Sequence, residues 1–160
     1  GIAGQQYGRI TGHILRCLLD FEHRGRRNHR PGRILVADDN RENLLLLKSL
    51  LESVGFFVLE AENGKEALEA FKKESPDFIW MDMRMPVMDG YQATAALRRA
   101  ELEGRLPHTP IIAMTANAMK GDRERCLEAG MDGYVSKPVK RKTLFAEIDR
   151  VLGEEKTNHA

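Results

Sequence analysis

From Arg33 onward, short apolar runs alternate with segments whose apolar residues return every three or four positions. Ile34-Leu35-Val36-Ala37 predicts a first strand. Asn40 then predicts the cap of a helix with Leu44, Leu47, Leu50 and Leu51 on one side and Gly55 as its stop. Phe56-Phe57-Val58-Leu59 predicts a second strand, followed by a helix capped by Asn63 that carries Ala67, Leu68 and Phe71 and ends before Pro76. The third strand lies in Phe78-Ile79-Trp80-Met81-Asp82-Met83-Arg84-Met85-Pro86, whose apolar run stops at Asp82. Asp89 or Gly90 opens a third helix running towards Gly104. Pro110-Ile111-Ile112-Ala113-Met114 predicts a fourth strand, Met119 to Ala129 a fourth helix ending at Gly130, and Gly133-Tyr134-Val135-Ser136 a fifth strand. Leu144, Ile148, Val151 and Leu152 place the last helix.

Strict alternation of strands and helices implies a parallel sheet with helices on both faces. Right-handed crossovers favour a doubly wound, flavodoxin-like (βα)5 fold with strand order 2-1-3-4-5. In that order the first and third strands are neighbours at the switch point, where ligands bind outside the carboxyl ends of the strands.

Those carboxyl ends carry the candidate chemistry. The first strand ends in Asp38-Asp39, the third in Asp82, the fourth in Thr115 and the fifth in Lys137-Pro138. A charge beside a hydrophobic core costs several kcal/mol unless it is paired or metal-bound. Three carboxylates at one rim would repel one another, and a hard divalent cation such as Mg²⁺ relieves that repulsion with oxygen ligands and water. Lys137 would share the charge of Asp82. Each feature alone has an ordinary explanation. An acid pair before a helix is often a cap, Thr115 could cap the next helix, Lys137-Pro138 could be a loop, and Tyr134 a half-buried strand aromatic. Their joint occurrence at four strand ends points to function. Met81, Met83, Met85 and Met88 read as flexible core filling, and Trp80 as packed under a helix.

The stretches MDMRMPVMDG, TANA and GYVSKP, taken with Asp38-Asp39, resemble the receiver domain of two-component response regulators, most of all the receivers attached to hybrid histidine kinases. The resemblance covers residues 33–152. It implies that Asp82 is the phosphoacceptor, attacking the phosphorus of a phosphohistidine. It implies Asp39 as a direct Mg²⁺ ligand, Asp38 as an acid holding the metal through water, and the backbone carbonyl of Arg84 as a further ligand, with Mn²⁺ able to substitute. Lys137 and the metal then suffice without a general base. Thr115 matches the switch hydroxyl and Tyr134 the aromatic rotor that follows it, while Ala116 leaves the phosphoryl group accessible. Arg84 and Asn117 lie two past the phosphoacceptor and the switch threonine and should border the path of hydrolytic water, tuning the dephosphorylation rate. A cis peptide before Pro138 is also implied.

Composition narrows the setting. Hydrophobic content of 42% supports a real core, and no apolar run approaches the roughly 20 residues of a membrane span. The chain opens on glycine without a signal peptide, so it reads as a processed or excised piece. Cys17 and Cys126 show no metal or redox spacing, which suits a reduced, cytoplasmic setting. Residues 1–32 carry six arginines against Asp20 and Glu22, a net +4, whereas the rest is mildly acidic, which is not the profile of a nucleic-acid-binding domain. In this leader Ile10, Ile14, Leu18 and Phe21 allow a short helix, and residues 22–32 read as a basic linker. His13-Ile14-Leu15-Arg16 resembles a kinase phosphoacceptor helix only faintly, and some 30 residues cannot build a four-helix phosphotransfer bundle. Residues 33–153 are expected to form the receiver and 154–160 a flexible tail.

The expected partners are a histidine kinase domain, a histidine phosphotransfer protein, or both. A phosphorylation-dependent dimer through the fourth and fifth helices is left open. The absence of an output domain after residue 153 argues against transcription control. A stand-alone receiver is the alternative to a hybrid-kinase module. A haloacid-dehalogenase-like phosphohydrolase also uses an aspartyl phosphate, but needs a second Asp where this chain has Arg84. A nucleotide or flavin module would want a glycine- or hydroxyl-rich loop in place of Asp38-Asp39-Asn40. A receiver fold used only for protein contact would stay unmodified by a phosphodonor.

Overall fold

The computed structural model describes residues 32–116 and 120–158. Five strands alternate with five helices: β1 (Arg33–Ala37), α1 (Arg41–Ser53), β2 (Phe57–Ala61), α2 (Gly64–Glu74), β3 (Phe78–Asp82), α3 (Gly90–Gly104), β4 (Ile111–Thr115), α4 (Lys120–Glu128), β5 (Gly133–Ser136) and α5 (Arg141–Asn158). All strand pairs are parallel, in the order β2-β1-β3-β4-β5, as the alternation predicts.

The period of two along each strand divides the core. Ile34, Val36, Phe78, Trp80, Ile112 and Met114 point to one face, where Leu44, Leu47 and Leu51 of α1 and Leu144, Ile148 and Val151 of α5 cover them. Leu35, Ala37, Ile79, Met81, Ile111 and Ala113 point to the other, under Ala67 and Phe71 of α2, Ala93 and Leu97 of α3, and Cys126 of α4. β3 lies at the centre and is buried throughout, which accounts for its unbroken apolar run.

Three helix starts follow from single residues. Asn40 accepts from the backbone N–H groups of Glu42 and Asn43, Asn63 from that of Glu66, and Asp89 forms a capping box with Gln92. Several boundaries move. β2 starts at Phe57, because its register is set by Arg33 opposite Phe57; Phe56 turns into the core instead, with its N–H on the Leu51 carbonyl. α1 closes at Ser53 with Val54 as its cap, and β4 is shifted one residue, to Ile111–Thr115. α5 continues to Asn158, so the helix takes in most of the stretch 154–160 read above as a tail. Glu154-Glu155-Lys156 are good helix formers and no proline interrupts them. The leader with its expected helix and basic linker, His13, Cys17, Asn117 and Met119 lie outside the described residues.

Candidate functional site

β1 and β3 are paired with Ala37 opposite Met81, so Asp38 and Asp82 come one rung beyond, side by side at the carboxyl rim. The turn into α1 adds Asp39. Carboxylate oxygens of Asp38, Asp39 and Asp82 lie within 4.8 Å of one another. Asp39 is exposed, Asp82 is 4% exposed and Asp38 fully buried.

Lys137 reaches this cluster from the end of β5. Its backbone N–H donates to the Thr115 carbonyl at 2.7 Å, which ties the segment after β5 to β4, and the Lys137–Pro138 peptide is cis. Its Nζ stands 3.1 Å from Asp82 Oδ2 and 3.1 Å from Asp38 Oδ2. The contact with Asp38 is an ion pair, off the line of a well-directed hydrogen bond. Asp38 Oδ1 accepts from the Asn40 N–H at 2.8 Å, and Asp82 Oδ1 from the Arg84 N–H at 3.3 Å.

The charges act on one another. Burial, and next the charge of Asp38, push the Asp82 carboxyl up from 3.8 to about 7 against the opposing pull of Lys137 and the Arg84 N–H. Burial alone would lower Lys137, but Asp82 and Asp38 outweigh it and hold the ammonium above its ordinary pKa. An acid only partly ionised at neutral pH beside two others has too little positive charge around it. The oxygen-only donor set fits a hard divalent cation.

A cleft of about 300 Å³ opens above Asp82, with Asp39, Arg84, Thr115, Ala116 and Lys137 in its wall. The loop that carries Arg84 is pinned at four points. Met83 N–H donates to the Met114 carbonyl at 3.0 Å, Gly90 N–H to that of Met83 at 3.1 Å, Gly64 N–H to that of Met88 at 2.9 Å, and Met88 N–H to that of Pro86 at 2.7 Å. Thr115 shares the α3/α4 face of the sheet with half-buried Tyr134, which pairs with Ala113 and so lies diagonal to Thr115. The structure thus brings together Asp38, Asp39, Asp82, Arg84, Thr115 and Lys137, with Tyr134 on the adjoining strand. Asn40 also stands in the cleft wall; its cap role accounted for it so fully that nothing in the sequence marked it as a site residue.

A family model described as the response regulator receiver domain matches residues 34–149. The chain belongs to this family. As a receiver it is 44% identical over 124 residues to the sensor histidine kinase GacS of Pseudomonas protegens, a match that covers 78% of the chain but 14% of GacS. It is 36% identical over 124 residues to the polar-differentiation response regulator DivK of Brucella anthropi, covering 78% of the chain and 98% of DivK. Among solved structures, the receiver domain of the sensor histidine kinase PA1611 of Pseudomonas aeruginosa, with magnesium coordinated in its active-site cleft, superposes with a TM-score of 0.67 at 43% identity, covering 76% of this chain and 98% of that one. The receiver spans only 7–14% of the histidine kinases it matches.

Proposed function

We propose that this receiver accepts a phosphoryl group on Asp82 from a phosphohistidine and relays the change through Thr115 and Tyr134. The observation that carries the reading is Lys137 Nζ at 3.1 Å from both Asp82 Oδ2 and Asp38 Oδ2, in a cluster of three acids of which Asp39 and Asp82 line an open cleft. An oxygen of Asp82 attacks phosphorus, the P–N bond breaks, and its electron pair returns to the donor imidazole. Lys137 holds the ammonium where negative charge gathers on the phosphoryl oxygens. Its pairing with two acids keeps it charged and oriented before the donor arrives.

Asp39, Asp82 and the Arg84 carbonyl would hold Mg²⁺ directly and Asp38 would hold it through water, with Mn²⁺ as a substitute. When bound, the metal neutralises charge on the carboxylates and the transferring group. Magnesium in the cleft of the PA1611 receiver supports this assignment. Thr115 turns its hydroxyl to a phosphoryl oxygen and Tyr134 follows inward. Arg84, exposed at the cleft, and Asn117 set the rate at which water removes the phosphoryl group.

Similarity to GacS favours the receiver module of a hybrid histidine kinase, itself lying in the cytoplasm, with the kinase domain or a phosphotransfer protein as partner. The near-complete match to DivK favours a stand-alone regulator as the second reading. Among the described residues no helix is long and apolar enough to cross a membrane. Mass spectrometry after acetyl phosphate and Mg²⁺ should show one added phosphoryl group on the parent chain and none on Asp82→Asn. Equal labelling of the two would overturn the assignment.

A further inference from the structure

Behind the acidic cleft, between α1 and the segment after β5, lies a second and much smaller cavity. Its volume is about 20 Å³, and Asp38, Asn43, Leu46, Met114, Lys137 and Pro138 are among the residues that line it. One water needs roughly 10–15 Å³ measured in this way, so the space suits a single water and nothing larger. Leu46 and Met114 offer it no hydrogen bonds. The polar part of the wall offers a carboxylate, an amide and an ammonium.

Asp38 is the member of this wall that demands a partner. It is fully buried. Its Oδ1 is taken by the Asn40 N–H at 2.8 Å. Its Oδ2 faces Lys137 Nζ at 3.1 Å in an ion pair, and a carboxylate oxygen has a second lone pair for another donor. Buried waters typically make about three hydrogen bonds, to groups that would otherwise lack them.

We infer that one ordered water occupies this cavity, bridging Asp38 Oδ2, the Asn43 side-chain amide and Lys137 Nζ, and that Asn43 is thereby a positioning residue for Lys137. The hydrogen-bond accounting closes. The water donates one proton to Asp38 Oδ2 and the other to Asn43 Oδ1, and accepts from Lys137 Nζ. The ammonium has three N–H groups, so it serves the water while still facing both acids. Asn43 is well placed for the task because its own backbone N–H is held by Asn40 Oδ1 at 3.2 Å, in the same turn that binds Asp38. The ammonium is then braced from behind and cannot swing away from Asp82. The positioning half of this inference rests on the proposed role of Lys137 towards the phosphoryl group.

A crystal structure of the full chain should show an ordered water within hydrogen-bond distance of Asp38 Oδ2 and the Asn43 amide. Empty density there, or a direct bond from Asn43 to Asp38 Oδ2, overturns the water. Asn43→Leu keeps the side-chain volume but removes the polar partner. Its labelling by acetyl phosphate should slow about tenfold, the lower end of what outer partners of a reacting group are worth, with an unchanged thermal midpoint. Asn43→Ser keeps a hydrogen-bonding group and should label near the parental rate. Parental labelling of Asn43→Leu overturns the positioning role. If that variant does not fold, Asn43→Ala carries the same two outcomes. Equal labelling of the parent and Asp82→Asn would sink the phosphoacceptor reading while leaving the density test intact.

Discussion

Gly90, the first residue of α3, packs its Cα against the carbonyl oxygen of Asp82, leaving no room for a side chain. A Cβ at this position would overlap that oxygen and press on the Cα of Met83. Both neighbours are backbone atoms that cannot rotate aside. Gly90→Ala should therefore destabilise the protein by about 1–3 kcal/mol, the usual cost of overpacking. It should also slow acetyl phosphate labelling, since the strand end that carries Asp82 has to shift. Urea unfolding and labelling on the same preparation check both; parental stability would show that the loop yields without cost.

Val87 makes the opposite prediction. It has φ +70°, is 77% exposed, and sits between Pro86 and Met88, whose carbonyl and N–H are bonded at 2.7 Å. A β-branched residue in the left-handed region is strained, by roughly 1–2 kcal/mol, and this side chain has no packing to compensate. Val87→Gly removes the strain but frees the unfolded chain. The net effect should be a stabilisation of up to about 1 kcal/mol, read as a higher urea midpoint at unchanged slope.

These two positions mark the limit of what the sequence alone discloses. The helix starts were legible because Asn40, Asn63 and Asp89 act on backbone within three residues of themselves. The acid cluster was legible because strand order alone places the ends of β1 and β3 together. The role of Gly90 was not, since it depends on how the loop after β3 returns to the end of that strand. The Arg98 network was equally hidden. Its guanidinium binds the Gly130 and Thr109 carbonyls, Glu101 and Asp132, gathering partners up to 34 residues away without any local pattern. Phe56 misled the reading of β2 because an apolar residue serves a buried turn as well as a strand.

Asp82 should make the metal-free protein less stable as pH rises. Its pKa is about 7 in the folded chain against an ordinary 3.8. The folded state therefore keeps the proton that the unfolded state has already lost. Stability is greatest below the unfolded value, falls as pH rises from 3.8 to about 7, and is flat above. Asp82→Asn cannot ionise and escapes this loss. In EDTA near pH 8 it should exceed the parent by on the order of 1–2 kcal/mol, a discounted figure because solvent reaches the cleft and Lys137 loses a partner. Saturating Mg²⁺ should raise the midpoint of the parent and leave the variant far less affected. A gap that does not change with pH would refute the shifted carboxyl.

His108 gives a pH effect of the other kind, at the far end of the sheet. Its Nε2 lies 2.7 Å from Asp132 Oδ1, while Asp132 Oδ2 takes the Ile111 N–H at 2.8 Å and Arg98 at 3.0 Å. The hydrogen bond to Asp132 raises the imidazole above 6.5, with Glu101 adding to it, while burial and the Arg98 charge pull the other way. A raised histidine stabilises the fold fully below its unfolded pKa and loses that contribution as pH passes through the folded value. His108→Gln should thus cost stability in mild acid and little or nothing in mild base. The pair is half exposed, so the difference should stay under about 1 kcal/mol. Proton NMR of the imidazole must show a midpoint above 6.5; a midpoint below it would mean that Arg98 outweighs Asp132 and that the acid-side gain does not exist.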